Sequence, residues 1–325
     1  MPFLRERSGR WSPVKVVAFA ASITPALWIA YQAATGDLGA RPVTEAIHQA
    51  GDWALRFLFI TLAITPAQRI LHYPRIILAR RTLGVASASY ALLHLSLYIL
   101  DQHFDLFKVA SEIVLRIYLL IGALALTGLI ALASTSTDAA ISRLGSARWN
   151  LLHRLVYGIA VLGAVHFFIQ SKLNIYQPVL MAGFLVWLLA YRGLFRRYGE
   201  VTPLALLLLA VAAAAVTAVG EALIYMFTSG VDSRRVLLAH FDVDAEVRPA
   251  WWVLAAGLAV AALAVGRQKP ARQRASRRRI SPAPCRGRPR SNPAADGGTR
   301  WPGAWCSDGC RALPPRRLAP DRSRL

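Results

Sequence analysis

Eight stretches of this chain are apolar for the thickness of a lipid bilayer, and that constrains its fold more than any other feature. They fall at roughly 14–34, 53–70, 83–100, 114–133, 150–170, 175–192, 203–227 and 250–266, the last being short and alanine-rich. A soluble domain does not carry several such runs. Inside lipid the backbone must satisfy its own hydrogen bonds, so the runs are helices rather than strands. The expected fold is all-α, a polytopic transmembrane helical bundle of six core spans with two extra C-terminal spans.

The loops orient it. Arginine and lysine cluster before span one, between spans two and three (Arg69, Arg75, Arg80, Arg81), between four and five (Arg143, Arg148), after six (Arg192, Arg196, Arg197) and after eight. The alternate loops are acidic or mixed: Asp37, Glu45 and Asp52, then Asp101, Asp105 and Glu112, then Asp232, Asp242, Asp244 and Glu246. The positive-inside rule then places both termini in the cytoplasm of a bacterial inner-membrane protein. The basic N-terminus precedes an apolar run without a convincing cleavage site, which reads as an uncleaved first span.

Charge narrows the functional classes. Residues 267–325 carry 16 Lys and Arg against 3 acids, most of the net +21. That tail, rich in Arg, Pro, Ser and Gly, reads as disordered, and its composition also fits an out-of-frame reading of a GC-rich gene. Nucleic-acid binding is therefore a poor inference from the charge. The three cysteines, Cys285, Cys306 and Cys310, all lie in the tail. An iron–sulfur cluster, a disulfide framework and a CxxCH haem attachment are thus excluded from the body, and any metal or haem there needs histidine.

Of seven histidines, His48, His103 and His240 fall in expected outer loops and His72 in an inner one. His94 lies in span three, and His153 and His166 in span five. Polar residues at membrane depth are costly and usually serve a site; taken singly, each is as well explained as an interhelical hydrogen bonder. Depth pairs them. At about 1.5 Å per residue, His94 stands ~16 Å, His166 roughly 22–24 Å and His153 ~5 Å above the cytoplasmic ends of their spans. His94 and His166 match best and make the expected axial pair of a haem iron. His153 would serve a second redox group nearer the cytoplasm. The 13 residues between His153 and His166 leave them on different faces of an ideal helix, unless Gly158 or Gly163 distorts it. Arg80, Arg81, Arg148 and Arg154 are topology signals by the simplest reading, and also fit haem propionates or a flavin phosphate. Trp28, Trp53, Trp149, Trp251 and Trp252 read as an interfacial belt. Pro66 is expected to end or kink span two. Glu221, an acid inside span seven, reads as a proton path or as a residue facing a neighbouring helix.

The stretches TLAITP (61–66), RRTLG (80–84), YALLHLSLY (90–98), STS (134–136) and RWNLLHRLVY (148–157), followed by His166, resemble the MsrQ (YedZ) family of the ferric-reductase-like transmembrane group. The resemblance covers roughly 14–198 and makes that segment the haem-binding transmembrane domain. On either side lie a cytoplasmic N-terminus (1–13), two additional helices (199–266) and the tail (267–325). It implies haem b and FMN, with His94, His153 and His166 matching the family's histidines. It also implies electron transfer from the quinone pool or a cytoplasmic flavin reductase to the periplasmic molybdopterin subunit MsrP, which repairs oxidised methionines; the chain itself performs no substrate chemistry. Members of the family usually stop near the end of span six, so the last two spans depart from it. The alternatives are a ferric reductase or other quinone-linked b-type cytochrome and, from another class, a transporter or scaffold without haem. No GxGxxG or βαβ pattern follows the spans, which disfavours a self-contained NADPH-driven reductase.

Overall fold

The computed structural model describes residues 11–171, 174–242 and 246–267. The chain divides near Lys269 into two units, and the described residues belong to the first. The expected tail lies, apart from Arg267, outside the described residues, as do residues 1–10 and Asp244.

Among the described residues the regular structure is helical throughout. The α-helices are α1 (Pro13–Thr35), α2 (Pro42–Leu71), α3 (Ala79–Asp101), α4 (Leu106–Leu115), α5 (Ile117–Ser134), α6 (Asp138–His153), α7 (Val156–Gln170), α8 (Tyr176–Tyr198), α9 (Pro203–Ser229), α10 (Ser233–Leu238) and α11 (Pro249–Gly266). Proline opens α1, α2, α9 and α11, where its missing N–H costs nothing. Side chains close other orphan donors: Asp105 accepts from the Lys108 amide, Thr137 from that of Ala140 and Thr202 from that of Ala205.

Seven helical segments are long and apolar enough to cross a membrane, and the bent pair α6–α7 makes an eighth if taken as one span. The fold is thus a polytopic all-α bundle, and many of the large apolar side chains left outside, such as Val17, Leu27 and Leu208, sit on spans where lipid would solvate them. The central post is α2. Its apolar window is 56% buried against 17–39% in the other six spans. One hydrophobic cluster packs its Leu55, Leu58, Phe59 and Leu62 against α5, α7 and α8, and continues into α9 and α11 through Leu206, Ala213 and Val253. A second packs Phe57 and Ile64 against Leu83 and Tyr90 of α3 and Ala18 of α1. The end of the bundle carrying residues 36–41, 102–116 and 230–242 is the acidic-loop end; that carrying 72–78, 199–202 and Arg267 is the arginine-rich end.

Four expectations from the sequence change. Span five is not one helix: it breaks between α6 and α7 with a 40° bend. The break lies at Arg154–Leu155, whose amides bond only three residues back, and not at Gly158 or Gly163, which are helical. His153 and His166 therefore belong to different helices, and the face mismatch on an ideal helix does not arise. Pro66 does not end α2, which runs on to Leu71 and begins at Pro42 rather than 53, taking in His48, Glu45 and Asp52. The outer loop after span three contains the amphipathic helix α4, with Phe107 and Leu115 exposed. Its Glu112 accepts from the Tyr98 hydroxyl and pairs with Arg116 at 3.1 Å, which ties α4 to the end of α3. His240 is 6% exposed rather than in an open loop, against Glu221.

Candidate functional site

His94 on α3 and His166 on α7 have ring centroids 6.3 Å apart and planes at 88°. Each is held in the same way. His94 Nδ1 lies 2.8 Å from the Ile47 carbonyl on α2, and His166 Nδ1 lies 2.7 Å from the Tyr118 carbonyl on α5. A carbonyl only accepts, so both Nδ1 atoms carry the proton, and in a neutral imidazole Nε2 is left with its lone pair free. A ring whose other nitrogen donates to a backbone carbonyl is oriented and made more basic, the usual outer support of a metal-binding histidine.

One helical turn beyond each carbonyl stands a glycine, and the ring lies against it. A Cβ at Gly51 would come within 3.0 Å of His94 Nδ1, and one at Gly122 within 2.8 Å of His166 Nδ1 and Cε1. A side chain at Gly122 would force the His166 ring to shift, and one at Gly51 would press the His94 ring by a few tenths of an ångström. The Tyr118 carbonyl is itself anchored, because Arg116 donates to the Tyr118 hydroxyl at 3.0 Å while gripping Glu112. A polar chain thus runs from Tyr98 through Glu112, Arg116 and Tyr118 to His166. Chemically, two neutral imidazoles with free Nε2 atoms can ligate one metal ion. When each nitrogen stands about 2 Å from the metal, the ring centres come roughly 6 Å apart, the separation observed here.

His153 is not part of this pair. It closes α6, where Nδ1 lies 3.1 Å from the Trp149 carbonyl and Nε2 lies 3.3 Å from Ser136 Oγ, with the ring stacked on Trp149 at 3.7 Å. Trp149 Nε1 in turn donates to the Thr135 carbonyl at 2.8 Å, so this tryptophan also holds a histidine. Arg81 pairs with Asp138 at 2.9 Å, pinning the start of α3 to the start of α6.

The model of the ferric reductase like transmembrane component family matches residues 50–164. A protein-methionine-sulfoxide reductase heme-binding subunit MsrQ from Rhodospirillum rubrum is 40% identical over 189 residues, 58% of this chain and 88% of the relative. The MsrQ of Caulobacter vibrioides is 39% identical over 173 residues, 53% of this chain and 82% of its own. This chain belongs to the MsrQ family. The MsrQ of Brucella melitensis biotype 2 is similar at 42% identity over 188 residues, 57% of this chain and 83% of its own. No solved structure matches. The likeness to MsrQ leaves a large part of the chain uncovered, and the matched family model ends before α8.

Two of the stretches that carry the MsrQ resemblance meet in space, since Thr135 and Ser136 of STS hold Trp149 and His153 of RWNLLHRLVY. The sequence did not single out Ile47, Gly51, Tyr118 or Gly122. Isolated glycines inside apolar spans were the available signal, because a glycine there marks close approach by something else. What approaches them comes from helices 43 and 44 residues further along, which no local pattern records.

Proposed function

We propose that this protein is the haem b subunit of a membrane electron-transfer system serving a methionine sulfoxide reductase, with His94 and His166 as axial ligands of one haem. The supporting observation is the matched pair: two imidazoles 6.3 Å apart, each with Nδ1 committed to a carbonyl, in a chain whose MsrQ relatives are named heme-binding. Haem b, when bound, supplies a one-electron carrier. The protein's part is orientation: Ile47 and Tyr118 fix the tautomer and aim of the two rings, Gly51 and Gly122 give them room, and the apolar packing around α2 keeps water from them.

By the positive-inside rule the acidic-loop end faces the periplasm of a bacterial inner membrane, with both termini cytoplasmic. The histidine pair is nearer that end, as delivery to a periplasmic molybdopterin partner, MsrP, requires. His153 lies toward the arginine-rich end, where a quinone or a cytoplasmic flavin reductase would donate. There FMN, expected from the resemblance, would have its phosphate among Arg80, Arg81, Arg148 and Arg154. Residues 14–198 form the haem-holding domain, and 199–266 are an appended helical pair.

The test is the visible spectrum of protein purified in mild detergent. Sharp reduced-minus-oxidised b-type bands are expected; a folded, colourless protein overturns the reading and leaves a transporter or scaffold. The glycines offer a graded check. Gly122→Ala is expected to lower haem retention several-fold, because the His166 ring must leave a hydrogen bond worth about 0.5–1.5 kcal/mol. Gly51→Ala, with a longer contact, should have the smaller effect. Haem-to-protein ratios after gel filtration measure both.

A further inference from the structure

An apolar groove of about 340 Å³ opens between α2, α8 and α11. Phe59, Ile60 and Ala63 of α2, Phe184 of α8 and Ala256 of α11 line it with hydrocarbon. Residue number gives its depth. The lining begins at Met181 and Val253, about 6–8 Å below the starts of α8 and α11 at the acidic-loop end. It ends at Leu188 and Val260, about 16–18 Å below those starts. Further down the helices come together: Arg267, just past α11, donates to the Leu71 carbonyl at the end of α2 at 3.0 Å. The groove therefore takes up one leaflet's share of a hydrocarbon core roughly 30 Å thick and closes before the other.

The mouth of the groove is charged. Arg56 is part of the lining, its guanidinium 5.0 Å from the centre of the Trp53 ring. Asp52 stands one helical turn nearer the acidic-loop end on the same face of α2. Its Oδ2 lies 3.6 Å from Arg56 Nη2, too far for a hydrogen bond, and both side chains are about a third exposed. Among the described residues neither makes a hydrogen bond to any other group. The groove is thus headed by a cation and an anion whose donors and acceptors are unspent.

A helix of another membrane protein is a poor occupant, because it packs through both leaflets and the groove ends after one. A single acyl chain matches both the length and the lining. A zwitterionic headgroup matches the mouth. We propose that the groove holds one phosphatidylethanolamine from the leaflet at the acidic-loop end. Its acyl chain runs along Phe59, Ala63 and Phe184, its phosphate accepts from Arg56, and its ammonium donates to Asp52. Phosphatidylcholine has no N–H to offer Asp52, and phosphatidylglycerol has no positive charge. The lipid fills the gap between α2 of the core and the appended α11, and so seats the extra helices on the haem-holding domain.

The experiment is native mass spectrometry of the full chain in mild detergent, titrated in turn with dioleoyl phosphatidylethanolamine, phosphatidylcholine and phosphatidylglycerol. Wild type is expected to retain one phosphatidylethanolamine about threefold more strongly than either other lipid, the increment of one partly exposed ion pair. Asp52→Asn should abolish that preference. Arg56→Gln should weaken all three lipids about tenfold, because the phosphate loses its charge-assisted hydrogen bonds. Ala256→Phe, which fills the groove from an exposed position, should also weaken all three about tenfold by displacing buried methylenes. Each variant is read on protein with the wild-type circular dichroism. Should Ala256→Phe misfold, the two headgroup variants still decide, since both change partly exposed side chains. Equal retention of the three lipids by wild type overturns the proposal, as does phosphatidylethanolamine retention unchanged in Arg56→Gln. A second copy of the chain that binds in competition with the lipid overturns it too.

Discussion

His94→Ala and His166→Ala are each expected to remove the b-type difference spectrum almost completely, to under about a tenth of wild type, while His153→Ala keeps the bands of this pair. A haem iron held between two helices loses half its axial set when either imidazole goes. The surviving ring is tied by Nδ1 to the Ile47 or Tyr118 carbonyl and cannot swing across to compensate. Neither change should unfold the bundle. Ile47 and Tyr118 lie four residues before Gly51 and Gly122 within α2 and α5, so each carbonyl keeps its helical partner when the ring is gone. Difference spectra and haem-to-protein ratios on protein with wild-type circular dichroism make the measurement. A variant that retains full bands removes that histidine from the axial pair. Added imidazole should restore part of the signal in either variant, since the space vacated is the size of the ring.

Glu221→Ala should cost about 2–4 kcal/mol of stability, reported as easier unfolding in mixed detergent micelles. Glu221 is an acid on α9 whose side chain is 3% exposed, with Arg248 Nη1 at 3.0 Å and His240 Nε2 at 3.4 Å. Removing it leaves two basic groups facing one another without a carboxylate. The estimate sits below the usual figure for breaking a buried pair because Arg248 retains 28% exposure. The surroundings are built to hold this geometry: His240 Nδ1 lies 3.0 Å from the Val236 carbonyl, and Trp251 Nε1 donates to the His240 carbonyl at 2.7 Å. The double variant Glu221→Leu with Arg248→Met should recover much of the loss, since an apolar replacement of a buried pair is often neutral. Equal stability of Glu221→Ala and wild type would make the cluster incidental to the appended helices. Of the two readings of Glu221 open from sequence, these contacts favour the residue that faces its neighbours.

The local rules of the sequence determined the parts of the molecule that depend on solvent preference and chain stiffness. Length and apolarity of each run specify membrane helices, though not where each one starts, as α2 beginning at Pro42 shows. Depth along a helix follows from residue number, so His94 and His166 could be matched in height. Only the tertiary structure decided what surrounds them. That His94 meets Ile47 and Gly51, that His166 meets Tyr118 and Gly122, and that span five breaks at Arg154 depend on which faces of which helices pack together. In membrane spans that information is weak in the sequence, because lipid-facing and helix-facing positions are both apolar, and the hydrophobic periodicity that orients a soluble helix is nearly absent. Burial of α2 at the centre, the pairing of Glu221 with Arg248, and the groove between α2, α8 and α11 are all consequences of packing among equally apolar surfaces, and packing is a property of the assembled bundle.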